Sequence, residues 1–128
     1  MVDVPAVTAV YWQHYRQSKG SRPERLAAAD SFWAWEAVDD VVQRGGADVL
    51  PLLDALLEAP GADAGYVGAG PVEDLLASDD GDRWDGLVAE RCRRSAAWRE
   101  AVAAVWLEEQ RKESLVSLRP FFSAGRRG

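Results

Sequence analysis

The run Gly68-Ala69-Gly70-Pro71-Val72-Glu73-Asp74-Leu75-Leu76 sets the tightest local constraint on the fold. Two glycines weaken any regular element, and Pro71 removes a backbone donor. Two acids and an apolar pair follow at once. The pattern predicts a tight, glycine-permitted turn that launches a helix, with Pro71 in its first turn and Glu73 and Asp74 near its positive end. It also predicts that Gly68 or Gly70 takes a positive φ or lies where no Cβ fits. These residues specify more than amphipathicity, but they do not name a reaction.

The elements around this run should be helices. Strands favour β-branched and aromatic residues. Here isoleucine is absent, Thr8 is the only threonine, and alanine is abundant. At 48% apolar residues the 128-residue chain can build one core, so a single domain over residues 1–128 is expected. The reading is all-α: a compact bundle of about six helices. Residues 51–57 (Pro-Leu-Leu-Asp-Ala-Leu-Leu) resemble residues 71–76 (Pro-Val-Glu-Asp-Leu-Leu), which suggests stacked helix pairs of the short α-solenoid kind. Cys92 is the only cysteine, so no internal disulfide can form. The first residues lack the basic and apolar regions of a signal peptide, and no apolar run approaches the ~18 residues that span a bilayer. The expectation is a cytoplasmic protein without membrane contact.

Helix one is expected over residues 4 to about 17, capped by Asp3, with Val7, Val10, Tyr11, His14 and Tyr15 as its buried stripe. Trp12 falls off that stripe and reads as a possible interface anchor. Ser21 and Glu24 form a capping box with Pro23 in the first turn, so helix two starts there and runs unbroken to Gln43, stopping at Gly45-Gly46. Its apolar arc would hold Leu26, Trp33, Ala34, Trp35, Ala37, Val38, Val41 and Val42, which makes it central. Helix three should cover residues 48–58 and bury Val49, Leu52, Leu53 and Leu56. A short helical turn is expected around Tyr66, and helix four at residues 71–78. Helix five, residues 83–94, should bury Trp84, Leu87, Val88 and Cys92. Helix six, residues 96–112, is capped by Ser95 and carries Trp98, Val102, Val105 and Trp106. The predicted core includes Trp33, Ala37, Val41, Leu53, Leu56, Leu75, Trp84 and Trp106. Leu115, Val116, Leu118, Phe121 and Phe122 make the segment 113–128 too apolar to be wholly free, so part of it should dock.

Three stretches carry a family resemblance: Phe32-Trp33-Ala34-Trp35-Glu36-Ala37-Val38-Asp39-Asp40, then Gly68 to Leu76, then Ala104-Val105-Trp106-Leu107. Together they resemble an uncharacterised family of small bacterial helical proteins. Those show F/W-A-F/W-E-A-L-D-x-L, then G-x-G-P-L-E-D-L-L, then a late V-W. The likeness covers roughly residues 24–107, with Val72 where leucine is usual. It implies a compact helical fold and no activity.

Charge narrows the candidate partners. Residues 30–90 carry 15 acids against two bases, Arg44 and Arg83, a local balance of −13 within a net charge of −6. Phosphates would be repelled there, so nucleic acid is not expected as a ligand. A basic protein partner is favoured instead, because a like-signed surface focuses potential and speeds encounter. On a continuous helix two, Glu36, Asp39 and Asp40 share one narrow polar arc with Phe32. An aromatic ringed by charge matches an interface anchor with a polar rim.

The leading reading is therefore a small protein-binding module, in one version an immunity- or antitoxin-like inhibitor whose acidic face covers a basic toxin. The rival is a hydrolase using Glu36, Asp39, Glu73 and Asp74, with or without a metal. Against it, Glu73 and Asp74 also suit a helix N-terminus, and no second catalytic motif supports it. Gly68-x-Gly70 is not a dinucleotide fingerprint, since no strand precedes it and the third glycine is missing. Asp79, Asp80, Asp82 and Asp85 do not match a calcium loop and read as a solvated loop that caps helix five. His14, the only histidine, reads as a hydrogen-bonded core residue, and Cys92 as a buried structural thiol. No cofactor and no catalytic residue is assigned.

Overall fold

A computed structural model describes residues 2–122 of the chain. All regular structure among these residues is helical, as expected. The chain divides between Ala62 and Asp63 into two compact units.

In the first unit, α1 (Val4–Ser18) begins where Asp3 accepts the Ala6 N–H at 3.2 Å. It packs on α3 (Phe32–Arg44) and α4 (Val49–Glu58). Val7, Tyr11 and Trp12 are its buried residues, while Val10, His14 and Tyr15 are only half-buried. Trp12 is thus core, not an exposed anchor. Its indole N–H donates to the Leu56 carbonyl at 3.0 Å, and its ring meets Tyr11 and Tyr15 edge-on, each at 5.2 Å. The apolar stripe of α4 is buried as its spacing requires, with Val49, Leu52, Leu53 and Leu56 all fully covered.

The long second helix does not form. The Ser21–Glu24 capping box is present in both directions and opens α2 (Arg22–Ala27). The chain then tightens into a 3-10 turn at Ala28–Asp30 before α3 begins. His14 supplies the physical reason. Its Nδ1 lies 3.0 Å from the Ala28 carbonyl and 3.1 Å from the Ser31 hydroxyl, and that hydroxyl donates to Gln17 Oε1 at 2.7 Å. A carbonyl only accepts, so Nδ1 carries the proton. Side-chain bonds at Ala28 and Ser31 compete here with the helical ladder. The partners of His14 are a carbonyl and two hydroxyls. Leu26, before the break, is exposed; after it Trp33 and Trp35 are partly exposed while Ala34, Val38, Val41 and Val42 are buried. It ends at Gly45, whose φ of 65° is left-handed and suits glycine.

In the second unit, the glycine–proline run is not a turn between elements. Residues 64–77 are continuously helical: α5 (Ala64–Val67), a π-helical stretch at Gly68–Val72 with Pro71 inside it, and α6 (Glu73–Ala77). Proline cannot donate to the fourth carbonyl back and its ring crowds that carbonyl, so the helix widens rather than breaks. Neither glycine has a positive φ, and a Cβ on Gly70 would meet open space. A Cβ on Gly68 would overlap the Ala101 carbonyl. The requirement is therefore close approach at Gly68, where the π-helical stretch packs against α8 (Ala96–Ala103).

α7 (Gly81–Arg94) packs on α6 and α8, burying Trp84, Val88, Ala89 and Cys92, with Leu87 exposed. Ser95 caps α8, accepting the Trp98 N–H at 3.2 Å. The expected sixth helix then stops. Residues 105–107 are not helical, and α9 (Glu109–Ser114) is a separate piece. The Glu73 carboxylate accepts the Trp106 N–H at 2.9 Å, removing a donor that a continued helix would need. The C-terminal segment docks in part: Leu115, Leu118 and Phe122 are buried, and a 3-10 turn at Arg119–Phe121 packs on α8. Residues 123–128 of that segment lie outside the described residues.

Candidate functional site

The exposed side of α3 contains the predicted acid–aromatic residues. Glu36 and Asp40 are exposed, Asp39 is half-buried, and Phe32 is 41% exposed. Two residues that sequence reasoning placed in the core join them: Trp33 and Trp35 are 47% and 37% exposed. At the helical period they flank the acids, one on each side. Phe32 stacks on Trp35 with centroids 5.4 Å apart and planes 11° from parallel, and its other ring neighbour is His14 at 5.6 Å. Arg44 pairs with Asp40 one turn on, an exposed pair worth little. Among the described residues Glu36 and Asp39 have no ion-pair partner, so the arc keeps its negative charge.

The motif residues behave differently from one another. Pro71 and Gly68 are buried, and Gly70 is half-buried. Glu73 and Asp74 do not open a helix, because helical chain precedes them; Glu73 instead binds the Trp106 amide. The 68–76 and 104–107 stretches therefore meet through that hydrogen bond. Glu73, Asp74 and Trp106 line a cleft with Leu107, Glu108 and Arg111. Trp106, expected in the core, is 71% exposed. Its neighbours Val105 and Leu107 are both buried, so the segment alternates in, out, in as extended chain does. The signal for this was a switch from a 3.6-residue to a 2-residue period at residues 105–107, too short to read beside a strong helical pattern.

The expected acidic loop is shorter than its acids: Asp82 and Asp85 lie within α7, and the N-cap residue Asp80 makes no side-chain capping bond. Asp85 reaches elsewhere, accepting the Ser117 and Leu118 N–H groups at 2.9 and 3.0 Å. Asp82 lies 3.7 Å from Arg111. Cys92 is fully buried, and burial pushes its thiol up to about 11, against the opposing pull of Arg99 and Arg93. Among the described residues no three His, Cys, Asp or Glu side chains are grouped to hold a metal ion, and no helix is long and apolar enough to cross a membrane. No protein-family model, curated protein or solved structure matches this chain.

Proposed function

We propose that this chain is a small protein-binding module that recognises a basic protein surface through α3. The observation that carries the reading is the grouping of Phe32, Trp33 and Trp35, all partly exposed, with Glu36, Asp39 and Asp40 on one face. Large apolar rings held in water cost free energy unless a partner covers them, and aromatic anchors inside a charged rim are how interfaces concentrate affinity. The acids set the sign of that partner and speed its approach. A narrower version is an immunity- or antitoxin-like inhibitor that covers a basic toxin; small size and net negative charge support it. The hydrolase reading has no comparable support. Glu73 is already engaged by a backbone amide, and Glu36 and Asp39 stand on the aromatic face of α3.

The test begins with the gene neighbourhood, where a basic secreted toxin is the first partner to try. Binding should slow as salt rises, because rim charges act mainly on association. The double substitution Asp39→Lys, Asp40→Lys should slow association further, and Trp33→Ser should speed dissociation. Unchanged binding in a still-folded double variant would remove the acidic face from the mechanism.

A further inference from the structure

We propose that residues 104–108 are a hinge with two states, and that the second state lets two copies of this chain exchange their C-terminal straps, residues 109–122. The stretch from Ser95 to Arg119 holds no glycine or proline. Residues 103–113 (Ala-Ala-Val-Trp-Leu-Glu-Glu-Gln-Arg-Lys-Glu) are mostly strong helix formers, and Glu108 and Lys112 stand in the i,i+4 order that favours a helix. The break between α8 and α9 is imposed from 33 residues away, by the Glu73 carboxylate that takes the Trp106 N–H. Local preference and tertiary contact therefore conflict at the hinge, which is the condition for two states close in energy. α9 is six residues long and buries none of them. The strap beyond it is fixed by Leu115, Leu118 and Phe122, all buried, and by Asp85, which accepts the Ser117 and Leu118 amides. Joining α8 to α9 returns the Trp106 amide to a helical ladder. It also carries Leu115 roughly 18 Å beyond Ala103, away from α8, on which the strap now packs. The three apolar side chains then need a groove, and the one that fits them exists on every copy of the chain. In a two-fold exchange Leu115, Leu118 and Phe122 of the second copy complete each groove, and every strap contact is kept; only the hinge changes. The two straightened hinges meet at the two-fold axis, where Val105 and Leu107 of each chain cover those of the other.

Light scattering of the full chain during size-exclusion chromatography measures the exchange. Glu73→Ala frees the Trp106 amide in the monomer and removes no bond from the dimer. It should therefore raise the dimerisation constant about 100-fold or more, one charge-assisted bond being lost per chain. Glu108→Pro should abolish the dimer in both the parent and the Glu73→Ala chain. Glu108 is exposed with φ −64° and ψ 152°, a geometry that proline adopts without strain, so the monomer should keep its stability. Inside a continuous helix the same proline would remove a ladder bond and crowd the preceding turn. In a dimer grown from labelled and unlabelled chains, isotope-filtered NOEs should join the Leu118 amide of one copy to Asp85 of the other. The parent, held at millimolar concentration just below its melting temperature, is a second route to the same dimer if Glu73→Ala does not fold. A chain that stays monomeric by both routes overturns the proposal. So does a dimer that survives Glu108→Pro, or one whose Leu118–Asp85 NOE stays within a chain, which is surface association without exchange.

Discussion

At Gly68 a single hydrogen stands where a methyl group would strike the Ala101 carbonyl, while Gly70, two residues on, faces open space. Gly68→Ala should cost about 2–4 kcal/mol, because the obstacle is backbone that cannot rotate away. Gly70→Ala should change stability by less than about 1 kcal/mol, with stabilisation the expected sign, since its backbone is already helical. Urea titration of the two variants checks the contrast. The sequence announced that one of these glycines was required, but spacing alone could not say which, because the obstacle comes from a residue 33 positions away. Cys92 was easier to read, since its place on an apolar stripe already implied burial. Its thiol titrates above its ordinary value of 9.0, so alkylating reagents should leave it untouched near pH 8 in the folded protein and label it on unfolding. The sign of the linkage follows. The unfolded thiol ionises first, so stability should be indifferent to this group below pH 9 and fall between 9 and about 11.

Helix starts were legible because their signals are local. Asp3, Ser21 and Ser95 each accept an amide within three residues, as capping chemistry dictates. Helix ends at residues 28 and 104 were not legible, because His14 and Glu73 impose them from 14 and 33 residues away. Within α3 the angular order of the side chains follows from the helical period, but only the part of the wide apolar arc around Ala34, Val38, Val41 and Val42 is covered, so Trp33 and Trp35 at its two margins stay partly exposed. A ranking of the tryptophans tests the corrected faces. Trp84→Ala and Trp98→Ala, both buried, should cost about 3–5 kcal/mol. Trp33→Ser and Trp35→Ser should lie within about 1 kcal/mol of the parent, and denaturant midpoints for the four variants decide it. Glu73→Ala should cost about 1.5–3 kcal/mol by releasing the Trp106 amide, with local loss of amide protection at residues 105–107.

Across the molecule, charge and hydrophobicity are sorted along the chain, and composition made that sorting visible without any structure. The strongly acidic span from residue 30 to 90 supplies the α3 face, Asp85 and two of the cleft carboxylates. At low salt the protein should not retard duplex DNA in a gel, since that span repels phosphate. What composition could not convey is where acids turn inward to serve the backbone. Asp85 and Glu73 each grip amides more than 30 residues downstream, on stretches that make few helical bonds of their own. Such stretches have nothing to nucleate on until α6 and α7 exist. They should therefore be the last part of their unit to order and the first to open. Asp85→Ala should speed unfolding and leave the refolding rate nearly untouched, a φ-value close to zero, so the docked segment sets how long the native state lasts rather than how fast it forms.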